Sequence, residues 1–452
     1  MRAHAWLVGL TLALAVGIAS CPAAAVAHAD RTGLSIADTR AIDTQELGAE
    51  HAAEHAREAN QLLRLQDQFA RLSPQQKRAA WRHSEHKSRS LWRRTAGDPS
   101  EVGAWRSQSF PIPNYAIHAA MLPTGKILFF GYPSGKKPNE GRAAVWDPSL
   151  GTGEASMRQI PPPVIDPDGA GPQQPGPAPI YCSAQSFLPD GRLLVSGGNL
   201  AWPGDEAGVP GYTGLDTVFT FDPWTESWQF EGRMSEGRWY PGQVLLADGS
   251  TLIAGGYTSA SPGNVYSTTV DRFDPDGTSP TAPTQVPSAS RVMGLYPHLL
   301  QMPSGQVLLA GPRNEDSALL GGLGQGGTPT WHDLPDSSFY RVGGNTVLRP
   351  GSWRGDFRVT QIGGYGQTPP ENGFGPATAS TETIDLQDHS PSWKSDAGLH
   401  HSRSYENTVL LPDGSMVTVG GGIGFSTANG NYTTAEDGSR RRVELYDPDR
   451  HR

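Results

Sequence analysis

The sequence predicts an all-β propeller, and three observations lead to it. A turn glycine is followed six residues later by the first glycine after an apolar strand at Gly125/Gly131, Gly191/Gly197, Gly249/Gly255, Gly305/Gly311 and Gly414/Gly420. With Gly363-Gly364 as a less regular sixth copy, the second glycines are spaced 66, 58, 56, 52 and 57 residues apart. An aromatic-Asp-Pro triplet recurs at Trp146-Asp147-Pro148, Phe221-Asp222-Pro223, Phe273-Asp274-Pro275 and Tyr446-Asp447-Pro448. Four short strands per repeat at this period define a kelch-type blade.

Each element of the repeat has a local reason. Pro189-Asp190-Gly191 and Pro412-Asp413-Gly414 place a φ-restricted residue first and a permissive one last, the chemistry of a tight turn between the first two strands. A short apolar run follows each turn and reads as a buried strand. The aromatic-Asp-Pro triplet marks the third strand, and Trp228 and Trp393 mark the fourth. Trp228 stands six residues after Asp222, so its counterpart after Asp447 falls just past Arg452. Trp105 reads as the outer strand of a blade whose inner strands come from elsewhere. The expectation is therefore six recognisable blades of seven, the last incomplete, with unpaired strand edges where the ring is open.

Ahead of the repeats, residues 1–29 read as an export signal: Arg2, an apolar run from Leu7 to Ala19, and small residues ending Ala27-His28-Ala29. Secretion follows from this. Ile18-Ala19-Ser20-Cys21 offers a lipoprotein-type processing site as the alternative, with Pro22 against it. Residues 30–102 read as a helical N-terminal segment, rich in Ala, Glu, Gln, Leu and Arg, and residues 103–452 as the propeller. His51 and His55 stand four apart in the helical segment, but no further ligand cluster accompanies them, and they read as exposed.

Composition narrows the partners. The 452 residues carry a net charge of −9 with no basic stripe, which argues against nucleic acid. No stretch after the export signal reaches the length of a membrane span. Of two cysteines, only Cys182 remains if the signal is removed after Ala29, so it has no internal disulfide partner. It is either a buried apolar filler or a side chain with covalent chemistry of its own.

Counting nine residues back from each turn glycine gives Ala116, Cys182, Tyr240, Tyr296 and Tyr405, one structural slot. Equivalent positions are related by the propeller rotation, so this slot forms a ring of side chains around the central axis, with Cys182 and Tyr240 as neighbours. One reading is that these residues simply fill a wide channel mouth.

The second reading comes from a resemblance. Ile180-Tyr181-Cys182-Ser183, leading into Phe187-Leu188-Pro189-Asp190-Gly191-Arg192-Leu193-Leu194-Val195 and Gly197-Gly198, resembles the cysteine-bearing blade of the galactose oxidase and glyoxal oxidase family, the copper radical oxidases. Arg238-Trp239-Tyr240-Pro241, leading into Asp248-Gly249 and Gly255-Gly256, resembles the next blade. The resemblance implies a thioether between Cys182 and Tyr240, with Tyr240 as a copper ligand and radical carrier. Copper accepts one of the two electrons removed from a primary alcohol or aldehyde hydrate, the radical accepts the other, and dioxygen leaves as hydrogen peroxide. Imidazole and phenolate donors suit copper(II).

Three departures stand against full transfer. The family completes its site with a Tyr-His pair in the final blade and a histidine from a C-terminal β-sandwich domain, and the sequence stops at Arg452 before either, as in a C-terminally truncated member. Arg403-Ser404-Tyr405-Glu406 looks like the Arg-x-Tyr-His motif but lies one blade early, with Glu406 where histidine is required, so Tyr405 is not assigned as a ligand. His298, His400 and His401 read as structural or surface residues. The tryptophan that shields the radical in the galactose-specific branch is replaced by Thr258, with Tyr257 beside it as an alternative aromatic shield. Tyr257, Tyr296 and Tyr405 are therefore channel-mouth candidates. Arg238-Trp239-Tyr240-Pro241 and Leu295-Tyr296-Pro297 look more like the glyoxal oxidase branch, whose substrates are small aldehydes. The expected function is a secreted copper radical oxidase-like protein acting on small aldehydes, primary alcohols or carbohydrate. The alternative is a non-catalytic extracellular propeller that binds glycan or cell-wall material.

Overall fold

A computed structural model of the chain describes residues 110–446 apart from 111, 115, 133–138, 166–175, 202–210, 261–262, 276–280, 325, 350–356, 369–372, 412–413, 423–424, 427–430 and 433–442. The export signal, the helical N-terminal segment with His51 and His55, and Trp105 lie outside the described residues.

Six antiparallel sheets follow one another along the chain, each built from consecutive segments, in a six-bladed propeller arrangement. The first blade runs His118–Met121, Ile127–Gly131, Arg142–Trp146 and Met157–Gln159. The second runs Ala184–Phe187, Leu193–Ser196, Thr213–Asp222 and Ser227–Arg238. The third, fourth and fifth repeat the four-strand order, and the sixth shows three strands among the described residues, Ser404–Leu410, Met416–Gly422 and Glu444–Tyr446. The aromatic-Asp-Pro triplets close the third strands as expected, and Trp228 and Trp331 sit on fourth strands.

The first turn is the same in five blades. Leu122, Leu188, Leu246, Met302 and Leu411 each donate an N–H to the carbonyl four residues on, and accept one from the turn glycine. Those glycines, Gly125, Gly191, Gly249, Gly305 and Gly414, all have φ between 78° and 88°, the left-handed region in which a Cβ is strained.

The second strands of the second to fifth blades are buried on both faces, and their alternation decides which core each residue enters. Leu193 and Val195 pack with Phe130 and Val145 of the first blade, while Leu194 between them packs with Ile253 of the third. In the third blade Leu252 and Ala254 pack with Val307 and Leu309 of the fourth, while Ile253 faces back to the second. In the fourth, Leu308 and Ala310 turn to Val359 and Ile384 of the fifth. Each fully buried leucine or isoleucine contributes roughly 1.5–3 kcal/mol. Tryptophans tie the blades at the periphery: the Trp228 indole N–H donates to the Ile160 carbonyl (3.1 Å), and that of Trp331 to the Ala289 carbonyl (2.8 Å).

A buried arginine binds into each of three blades: Arg238, at the end of the second blade's fourth strand, into the third, Arg341 into the fifth and Arg403 into the sixth. Arg238 donates to the carbonyls of Gly255 (3.1 Å) and Thr269 (3.0 Å) and to Asp271 Oδ2 (2.7 Å), both side chains fully buried. Arg341 repeats this with the Gly363 carbonyl and Glu382, and Arg403 with the Gly420 carbonyl and Glu444. The glycines are those of the repeat, and the acid lies on the third strand. In the fourth blade Gly294 stands in the arginine's place. There Asp316 accepts the Gly294 N–H (3.0 Å) and pairs with Arg313 instead.

Truncating one partner of such a pair strands the other as a buried charge. Asp271→Ala is expected to cost about 3–5 kcal/mol, measured by urea unfolding, while Asp190→Ala at the exposed first turn of the second blade costs far less.

Candidate functional site

The slot residues form the propeller hub through a backbone relay. The Tyr240 N–H donates to the Cys182 carbonyl (2.9 Å), the Tyr296 N–H to the Tyr240 carbonyl (2.7 Å), and the Tyr405 N–H to the Gly343 carbonyl (2.6 Å). To present its N–H this way each residue takes a left-handed backbone: φ is 61° at Cys182, 60° at Tyr240, 50° at Tyr296, 65° at Gly343 and 54° at Tyr405. Four of the six non-glycine residues with positive φ among the described residues are slot residues. Each such conformation costs of order 1–3 kcal/mol and persists only where the surroundings impose it, as at ligand and active sites. Gly343, not foreseen from the sequence, occupies the fifth-blade slot. It follows Arg341 by two residues, as Tyr240 follows Arg238 and Tyr405 follows Arg403, so the Arg-x-slot spacing is the signal that reveals it.

The side chains converge as the ring requires. The Cys182 thiol faces the Tyr240 and Trp239 side chains. Tyr240 stacks on Tyr296, ring centroids 4.2 Å apart and 23° between planes, and Tyr405 bears electrostatically on both. Burial pushes the thiol up to about 12, against the pull of its hydrogen-bonding neighbours, and holds the hydroxyls of Tyr240 and Tyr296 well above the usual phenol range. Cys182, Tyr240 and Tyr296 thus stay protonated at neutral pH.

The shield over Tyr240 is Trp239, which sequence reasoning did not assign. Its indole lies flat on the Tyr240 ring, centroids 3.6 Å apart and planes within 6°. Tyr257 stacks on Trp239 at 5.6 Å and 4°, so it forms a second layer rather than covering Tyr240 itself. Thr258, in the position of the galactose-type tryptophan, is buried and donates its N–H to the Val265 carbonyl.

Tyr405 stands apart from this stack, with Tyr365 as its aromatic neighbour at 6.1 Å. Glu406 behind it is buried beside Arg341 and Arg403, whose guanidinium groups are committed to Glu382 and Glu444. The carboxylate presses on the backbone of Gly363, where an added Cβ would stand 2.2 Å from Oε1. Burial pushes its carboxyl up to about 8, opposed by the two arginines.

The histidines are engaged elsewhere. His298 Nδ1 lies 2.6 Å from Thr346 Oγ1, His118 stacks on Phe130, and His400 and His401 line a cavity with Val443, Glu444 and Leu445. Among the described residues no three His, Cys, Asp or Glu side chains gather as a cation site. Among the described residues, the contacts of His118, His298, His400 and His401 given above are with groups other than Cys182 and Tyr240. Cys182 and Tyr240 by themselves fall short of the imidazole and phenolate set that suits copper(II).

No family model matches the chain. A WSC domain-containing protein of Arthroderma benhamiae is 30% identical over 147 residues, 29% of this chain and 14% of that protein. Aldehyde oxidase GLOX of Vitis pseudoreticulata is 29% identical over 142 residues, 28% of this chain and 22% of that protein. The matched segments thus span less than a quarter of these relatives' length. A fungal alcohol oxidase of the AA5 family, in complex with copper, aligns at a TM-score of 0.52 and 16% identity over 75% of this chain and 64% of its own, a likeness of fold. Over part of its length the chain is thus similar in sequence to proteins named as aldehyde oxidases, and in fold to a copper-bound alcohol oxidase. No helix among the described residues is long and apolar enough to cross a membrane.

The raised Glu406 carboxyl predicts a pH dependence. Folding holds the proton that the unfolded chain releases near 4.5, so the stabilisation is full below about 4.5 and is lost as pH rises through about 8. Thermal unfolding across this window is expected to show a falling Tm for the wild type and a flatter profile for Glu406→Gln.

Proposed function

We propose that this chain carries the propeller of a secreted copper radical oxidase-like protein, with residues 1–29 as the export signal and 103–452 as the propeller domain. Its chemistry is the oxidation of small aldehydes or primary alcohols by dioxygen. The observation that carries this reading is the juxtaposition of the Cys182 thiol and the Tyr240 phenol at the hub, both on strained left-handed backbone. A bland channel filler has no need of a thiol and a phenol in contact, held at that conformational cost.

The covalent step that this arrangement supports is a thioether. A bond forms between Cys182 Sγ and a carbon of the Tyr240 ring. The thiol and the ring carbon each give up one hydrogen, and dioxygen accepts the two electrons and two protons as hydrogen peroxide. Both groups start neutral, so no charged species has to be created in the apolar hub. Electron density from sulfur makes the joined phenol easier to oxidise, and the Trp239 indole covers one face of it. The resemblance assigns Tyr240 as a copper ligand. Tyr296, Tyr405 and Tyr257 are proposed as lining residues near the hub, and no step is assigned to them.

Incubating the full-length chain with copper(II) in air and measuring intact mass tests this. The wild type is expected to lose the mass of two hydrogens and its free thiol, and Cys182→Ser and Tyr240→Phe to lose neither. A wild-type chain that keeps a free Cys182 thiol under these conditions would favour the non-catalytic, glycan-binding propeller.

A further inference from the structure

We propose that the rings of Tyr240, Trp239, Tyr257 and Tyr266 form a one-electron conduit, through which an outer-sphere oxidant at the protein surface oxidises Tyr240 at the hub. This rests on the redox reading of Tyr240 given above and adds to it a route to solvent. The four rings are in unbroken contact: centroids are 3.6 Å apart from Tyr240 to Trp239, 5.6 Å from Trp239 to Tyr257, and 4.9 Å from Tyr257 to Tyr266. Trp239 is buried, whereas Tyr266 is 36% exposed. The chain of rings therefore leads from the hub to the surface.

The spacing is imposed by backbone and not by side-chain packing alone. Trp239 and Tyr257 exchange N–H to carbonyl hydrogen bonds of 2.7 and 2.8 Å, and Tyr257 is bridged in turn to Tyr266. These antiparallel bridges place the side chains side by side on the blade. Apolar filling would be served as well by leucine or phenylalanine. Every member here is instead a tyrosine or tryptophan, the side chains that lose an electron most readily.

The balance is simple. The surface acceptor gains one electron from Tyr266, which is refilled from Tyr257, then Trp239, then Tyr240. Trp239 carries the hole as a radical cation with no change of proton. Tyr257 and Tyr266 are hydrogen-bonded to each other, so a phenolic proton displaced from either is recovered within the pair. The net change is one electron to the acceptor and one hydroxyl proton from Tyr240 to water at the hub, onto which Tyr240 is partly open.

The test uses full-length protein, hexachloroiridate(IV) as the oxidant and freeze-quench electron paramagnetic resonance as the readout. The wild type is expected to form a radical that Tyr240→Phe abolishes. Tyr257→Phe and Tyr266→Phe keep the ring and the fold, checked by an unchanged Tm, but lack the oxidisable hydroxyl. Each is expected to slow formation of the Tyr240 radical by about tenfold or more. An unchanged rate in both variants overturns the conduit, as does a wild-type radical that survives Tyr240→Phe or the absence of any radical. Intact mass of the copper-treated samples reports the thioether separately, so a missing cross-link defeats the functional reading without deciding the conduit.

Discussion

The hydrogen bond from one hub N–H to the preceding hub carbonyl is the constraint on which the centre of this propeller depends. It forces the slot residues into left-handed backbone, and that conformation brings Cys182, Tyr240 and Tyr296 together. The strain has to be opposed locally. Arg238, Arg341 and Arg403, each two residues before a slot, anchor the chain to the repeat glycine and to an acid on the third strand of the blade that the slot opens. Blade stability and hub geometry are thereby one mechanical system.

Around this centre the chemistry is kept neutral. The Cys182 thiol and the Tyr240 and Tyr296 phenols are held protonated by burial, while the buried guanidinium groups of Arg238, Arg341 and Arg403 are paired with acids. Glu406 is the exception, a carboxyl beside two arginines that already have partners. Its position immediately after Tyr405 places a buried carboxyl, held largely protonated at neutral pH, next to a slot residue. The aromatic stack runs from Tyr240 through Trp239 and Tyr257 to partly exposed Tyr266.

Much of the fold was legible in the sequence because its signals are local. The turn glycines, the Pro-Asp-Gly turns and the aromatic-Asp-Pro triplets each satisfy a backbone requirement within a few residues, and nine-residue counting placed four of the hub residues correctly relative to one another. Gly343 escaped because the fifth blade lacks the regular turn glycine from which the count begins. Trp331 escaped because no aromatic-Asp-Pro triplet precedes it to mark its strand. The role of Trp239 was hidden by adjacency: neighbours in an extended strand point apart, and only the left-handed turn at Tyr240 lets the two rings stack.

By itself the sequence determined the repeat, the blade order and the slot that holds Cys182 beside Tyr240, since turn chemistry and strand alternation are written in consecutive residues. Tertiary structure alone decided that Trp239 covers Tyr240, that Tyr257 forms the second layer, that Arg313 replaces the missing arginine of the fourth blade, and that Glu406 is buried without a free cation. Those outcomes depend on local backbone conformation, as at Trp239 and Tyr240, and on segments far apart in the chain meeting, as Glu406 does with Arg341 and Gly363. No local periodicity encodes such contacts, because through-space contact is set by packing and not by spacing along the chain.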